Sequence, residues 1–117
     1  LIPRAHWSQG MAFDGARFYL AYLDTGNRNG SAFFPVYPNA HLAAFDKDWN
    51  LIQDVAVTNY TREDNMTAGR PWVMLHSGKA YVTYDVDTID PVSREGDASW
   101  QAFVSIYDLL QESAAPG

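Results

Sequence analysis

Two groupings of arginine and tryptophan carry the most chemistry in this sequence. Arg70 stands between Gly69 and Pro71 and is followed by Trp72, while Arg4 precedes Trp7 and Gln9. Aromatic rings stack on the C–H faces of sugars, and planar guanidinium and amide groups fork their hydroxyls or carboxylates. Trp7, Gln9, Arg70 and Trp72 are therefore candidate carbohydrate contacts. Asp24 and Asp85, each at the end of an aromatic-rich apolar stretch, would add hydroxyl acceptors. The competing reading of the same residues is that the tryptophans pack between sheets and the arginines are solvated or paired with loop carboxylates.

Catalytic chemistry has less support. Cutting a glycosidic bond takes two carboxylates about 5 to 10 Å apart, one of them with a raised pKa. Residues 8–12 and 70–74 carry no acid, and no nucleophile elbow surrounds Ser8. Asp85, Asp87 and Asp90 alternate in a way that calcium could use through loop oxygens, although the Gly and closing Glu of an EF-hand loop are missing. Three histidines, His6, His41 and His76, fall on different elements and are not expected to converge on a metal.

Bulk composition narrows the partners. The 117 residues are 47% hydrophobic and 15% aromatic, enough for a real core. A formal charge of −6 with eight scattered basic residues gives no basic stripe, which argues against nucleic acid. No apolar run approaches the roughly 18 residues of a membrane helix, and no leader-like segment precedes the first expected strand, so no membrane partner is expected. With no cysteine there is neither a disulfide nor thiol chemistry. Three glycosylation-type triplets, at Asn29, Asn59 and Asn65, hint at an extracellular or periplasmic location. A start on Leu1 suggests processing or a piece of something longer.

The elements that must position these residues show an internal repeat. Phe18-Tyr19-Leu20-Ala21-Tyr22 aligns with Ala80-Tyr81-Val82-Thr83-Tyr84, and Leu42-Ala43-Ala44-Phe45-Asp46 with Val104-Ser105-Ile106-Tyr107-Asp108. Tyr19 matches Tyr81 and Asp46 matches Asp108 at one common offset, the signature of a repeated structural unit. In the first unit, strands are expected at residues 10–13, 17–23, 41–45 and 51–58, with a tight turn at Asp14-Gly15. In the second they are expected at 72–75, 79–85 and 100–110, with a turn at Ser77-Gly78 and no fourth strand. The near-continuous apolar run of residues 17–23 fits a strand covered on both faces. Such sheets cannot cover themselves and must stack. The fold class is all-β: two consecutive four-stranded antiparallel β-propeller blades, the second lacking its outer strand, with helix content near zero. A β-sandwich is the competing architecture. The chain reads as one segment, 1–117, with blade one at about 6–60 and blade two at about 68–112.

The aromatic second strand ending in Asp (residues 18–24 and 80–85) and the turn Phe45-Asp46-Lys47-Asp48-Trp49-Asn50 resemble blades of glycosidase- and sialidase-type β-propellers. That turn lacks the Ser before the Asp and the Gly after it that mark a sialidase-type Asp box. The resemblance implies that the entries to the inner strands and the loops after the second strands share one ligand-binding face. This face would gather Arg4, His6, Trp7 and Gln9 with Arg62, Asp64, Asn65, Arg70 and Trp72. It implies a carbohydrate-binding segment, lectin-like or part of a larger glycoside-processing protein. A structural or protein-interaction propeller is the alternative, its ring completed by other copies or other blades. Residues 1–5 of a neighbouring copy would supply the missing strand, and Phe33, Phe34 and Tyr37 would cover the ring face or an assembly surface.

Overall fold

In a computed structural model, the described residues are 5–24, 39–61, 64–90, 92–93 and 100–110, with the side chains of 5–9 left out. They form seven strands and, among themselves, no α-helix. In chain order the strands are β1 (Ala5–Phe13), β2 (Phe18–Asp24), β3 (Asn39–Phe45), β4 (Leu51–Ala56), β5 (Met66–His76), β6 (Lys79–Thr88) and β7 (Gln101–Asp108). All neighbours pair antiparallel, as one sheet β1-β2-β3-β4 and another β5-β6-β7.

Local chemistry sets the turns. Asp14 Oδ1 accepts from the backbone N–H groups of Ala16 and Arg17 at 2.8 and 2.7 Å, and Gly15 takes φ +99°. Phe13 pairs with Phe18, so this loop has four residues, one more than the expected strand bounds of 13 and 17 leave. Between β5 and β6, Ser77 and Gly78 both have positive φ, 50° and 78°, the requirement of a two-residue type I′ hairpin. The β3–β4 turn closes around Asp46, whose carboxylate accepts from the N–H groups of Asp48 and Asn50 and from Asn50 Nδ2. Those bonds hold its pKa below the ordinary carboxylate value.

Two strands begin earlier than the sequence pattern indicates. β1 starts at Ala5 instead of residue 10, and β5 at Met66 instead of residue 72. In both the register slips, between His6 and Gly10 and between Gly69 and Trp72. A bulge puts extra residues into one strand and breaks the period-two alternation by which a strand is recognised.

The repeat extends to the hydrogen-bond register. Moving both members of the Gly10–Ala21 pair forward by 62 positions gives Trp72–Thr83, and the same shift takes Phe18–Phe45 to Ala80–Tyr107. Packing of the sheets follows from this. Sheet one turns Tyr19, Ala21, Leu42 and Ala44 toward Val73, Ala80 and Val82 of sheet two. Sixty-two positions on, those sheet-one residues become Tyr81, Thr83, Val104 and Ile106. They lie on the face of sheet two opposite Val82, since side chains alternate along a strand. The sheets thus stack front to back, each using a different face, and not as two equivalent faces meeting. The other face of sheet one is also buried in its middle, at Leu20, Tyr22, Ala43 and Phe45, as the apolar run of β2 requires.

The end of β7 is tied to sheet one. Arg17 Nη1 donates to the Leu110 carbonyl at 2.6 Å, and the Leu110 N–H donates to the Tyr19 hydroxyl at 3.1 Å. Burial raises the pKa of Tyr19, Tyr60 and Tyr107 above the ordinary tyrosine value. Above about pH 10 the unfolded chain releases these protons while the folded chain keeps them, so stability is full below about pH 10 and is lost as pH rises. Urea midpoints taken at about pH 9 and about pH 11 should show the lower value at pH 11; equal midpoints would contradict the burial of these hydroxyls.

Candidate functional site

The bulge of β5 builds the most distinctive surface feature. Gly69 and Asp85 are cross-strand partners, and the ladder is interrupted until Trp72 meets Thr83. Within this interruption Arg70 takes φ +48°, a region where a non-glycine side chain is strained. Pro71, which has no N–H to give a ladder, sits buried beside it. Arg70 Nε donates to Asp85 Oδ2, and the guanidinium carbon lies 5.4 Å from the centre of the Trp100 ring. That ring rests on the backbone of Gly69, where an added Cβ would come within 3.1 Å of it. The guanidinium is thus oriented by a carboxylate and an indole while its side chain remains 62% exposed. Such a group can fork a carboxylate or a pair of adjacent hydroxyls.

Of the residues proposed from sequence, Arg70 and Asp85 meet in this cluster. Trp72 is half-exposed, with its ring against β1, where an added Cβ on Gly10 would lie 3.1 Å from ring atoms and from Val73 N. Its contact is with the neighbouring sheet. Asp24 is 8% exposed and belongs elsewhere, its Oδ2 3.8 Å from His41 Nε2. Trp7 and Gln9 fall in the irregular stretch of β1 that corresponds to the β5 bulge. Their side chains lie outside the described residues, as do Arg4, the His6 side chain, Arg62, Phe33, Phe34 and Tyr37.

Two groups of functional-type residues escaped the sequence reading. Trp100 appeared there only as the start of a strand. The signal that could have found it is departure from the repeat: Arg70, Trp72, Asp85 and Trp100 stand where the first unit has Ser8, Gly10, Leu23 and Pro38. The second group surrounds His41. Its Nδ1 is 3.0 Å from Asp54 Oδ1, and the fully buried Tyr22 hydroxyl donates to Asp54 Oδ2 at 2.5 Å. This network links β2, β3 and β4, and its polar atoms are engaged with one another.

The three aspartates at 85, 87 and 90 take three roles. Asp85 pairs with Arg70, Asp87 is buried and accepts from the Thr88 N–H, and Asp90 caps a turn through the N–H groups of Val92 and Ser93. Among the described residues no three His, Cys, Asp or Glu side chains are grouped to hold a metal. A cavity of about 150 Å³ lies under β4, between Gln53 and Val55 on one side and Tyr107 and Leu110 on the other. It sits at the level where sheet two ends with β7, its third strand. Compared with known proteins, the chain matches no family model, no curated protein and no solved structure.

Proposed function

We propose that this chain is a pair of successive β-propeller blades that binds carbohydrate at the bulge of β5. The observation that carries the binding reading is the exposed Arg70 guanidinium, pinned by Asp85 and stacked on Trp100 at a strained backbone position. Strain of about 1–3 kcal/mol is kept where the surrounding structure holds it in place, and such sites concentrate at ligand clamps. An aromatic face, a forked donor and a carboxylate acceptor together make the set of contacts that sugars use. Sugars bearing a carboxylate fit best, because the guanidinium then meets a planar anion. Front-to-back stacking of repeated antiparallel sheets supports the blade reading, since radial repetition uses the same two different faces at every step.

The test is calorimetric titration with neutral and uronate-containing oligosaccharides, using Arg70→Gly. Glycine removes the guanidinium and relaxes the positive φ, so affinity should fall more than tenfold, about 1.4 kcal/mol, while the melting temperature holds or rises. Unchanged affinity, or no binding by the unaltered chain, would overturn the reading. A fall in melting temperature without a loss of affinity would assign Arg70 to structure.

A further inference from the structure

Sheet two leaves one face open. Met74, Val104 and Ile106 are 58%, 55% and 54% exposed, and the register places Met74 and Ile106 on either side of Tyr81 in one row. An apolar patch of this kind on a folded surface marks an interaction site. What covers it can be read from the repeat. Sixty-two positions earlier, the same places are Ala12, Leu42 and Ala44, and these are covered by β5 and β6 of this same chain.

The strand that would do the covering is also present and open. Within the chain, β5 lays Val73 and Leu75 against sheet one. Their counterparts, 62 positions earlier, are Met11 and Phe13 of β1, which are 51% and 49% exposed. One end of the molecule thus carries, in the exposed edge of β1, the counterpart of the strand that does the covering inside the chain, while Leu20 beside it is already buried; the other end carries the face that is covered. The internal contact at Gly10, which admits the Trp72 ring because it has no Cβ, has no counterpart between chains, where Trp72 would stand in the place of that glycine.

We infer that a second copy of this chain docks its β1 face, through Met11 and Phe13, on the open face of sheet two, repeating the internal sheet–sheet interface between chains. The inference rests on the blade reading above and is independent of carbohydrate. Because the two faces differ, the contact is heterologous, and every added copy leaves the same two faces open until a ring closes.

Light scattering and sedimentation test it. The unaltered chain should form particles of more than two copies of 13.1 kDa. Phe13→Glu blocks one face and Ile106→Glu the other, so each variant alone should be monomeric. Mixed in equal amounts, they should give a particle of two copies and nothing larger, because each supplies the face its partner lacks. Both sites are about half exposed, so the monomer fold should survive; Met11→Glu and Met74→Glu serve as replacements if circular dichroism shows otherwise. A monomeric unaltered chain, or a mixture that stays monomeric, would overturn the inference. So would a dimer abolished by only one of the two charges, since that is pairing of like faces. A monomer that still binds sugar would sink this inference alone and leave the carbohydrate site standing.

Discussion

Replacing Phe45 with alanine should lower the stability of the chain by about 3–5 kcal/mol, the range for truncating a buried phenylalanine. Phe45 is 1% exposed and lies with Leu20, Tyr22 and Ala43 on the face of sheet one turned away from sheet two. The loss combines the transfer of the ring to water with the cavity that remains, and a strand fixed on both sides by its ladder can do little to close it. The comparison is Val104→Ala on the open face of sheet two, where 55% exposure should keep the change within about 0.5 kcal/mol. Urea unfolding of the two variants measures both. If Phe45→Ala costs as little as Val104→Ala, the outer face of sheet one is not a second core, and the apolar run of β2 would need another explanation.

That run shows how the fold could be read. Residues 18–23 are apolar at consecutive positions, which a strand can use only when both faces are covered, and both are: Tyr19 and Ala21 toward sheet two, Leu20 and Tyr22 away from it. The common offset between Tyr19 and Tyr81 then carried through to the pairing of β1 with β2 and of β5 with β6. The three-strand second sheet was legible for the same reason. Illegible were the first halves of β1 and β5, because a bulge erases alternation locally, and it takes the partner strand to show that pairing resumes beyond it.

The site was half legible. Arg70 between Gly69 and Pro71 has an unusual local chemistry, visible without partners. Its pairing with Asp85 depends on the β5–β6 register, which the Ser77-Gly78 turn sets. Trp100 could not be placed because it arrives from a strand 30 residues further along. Asp24 shows how strand-end position can mislead about surroundings. As a polar residue ending an apolar strand it reads as a rim acceptor, yet its carboxylate turns toward His41 and is almost wholly buried. His41 was set aside as a metal ligand because the three histidines fall on different elements, while its partners, Asp54 and Tyr22, come from the strands on either side of it. Neighbours in a sheet are set by topology, and spacing along the chain says little about them.

Gly10→Val should be the clearest probe of the stacking itself. Valine is favoured in strands, and Gly10 has no positive φ to forbid it; judged by β1 alone, the substitution should help. The cost comes from the next sheet. Even a Cβ at this position would lie 3.1 Å from two Trp72 ring atoms and from Val73 N. The ring can shift a little, but the backbone nitrogen moves only if β5 moves. Overpacking of this kind costs about 1–3 kcal/mol, and a β-branched side chain belongs at the upper end. Met11→Val, one residue along the same strand but on its exposed side, should stay within about 0.5 kcal/mol. Thermal unfolding of the pair separates the two terms, because strand propensity favours Gly10→Val more than Met11→Val and only the contact with Trp72 and Val73 opposes it. A large loss for Gly10→Val alone means that β5 presses directly on β1. Equal and small effects would mean that the sheets do not meet there, and the front-to-back stacking would lose its closest contact.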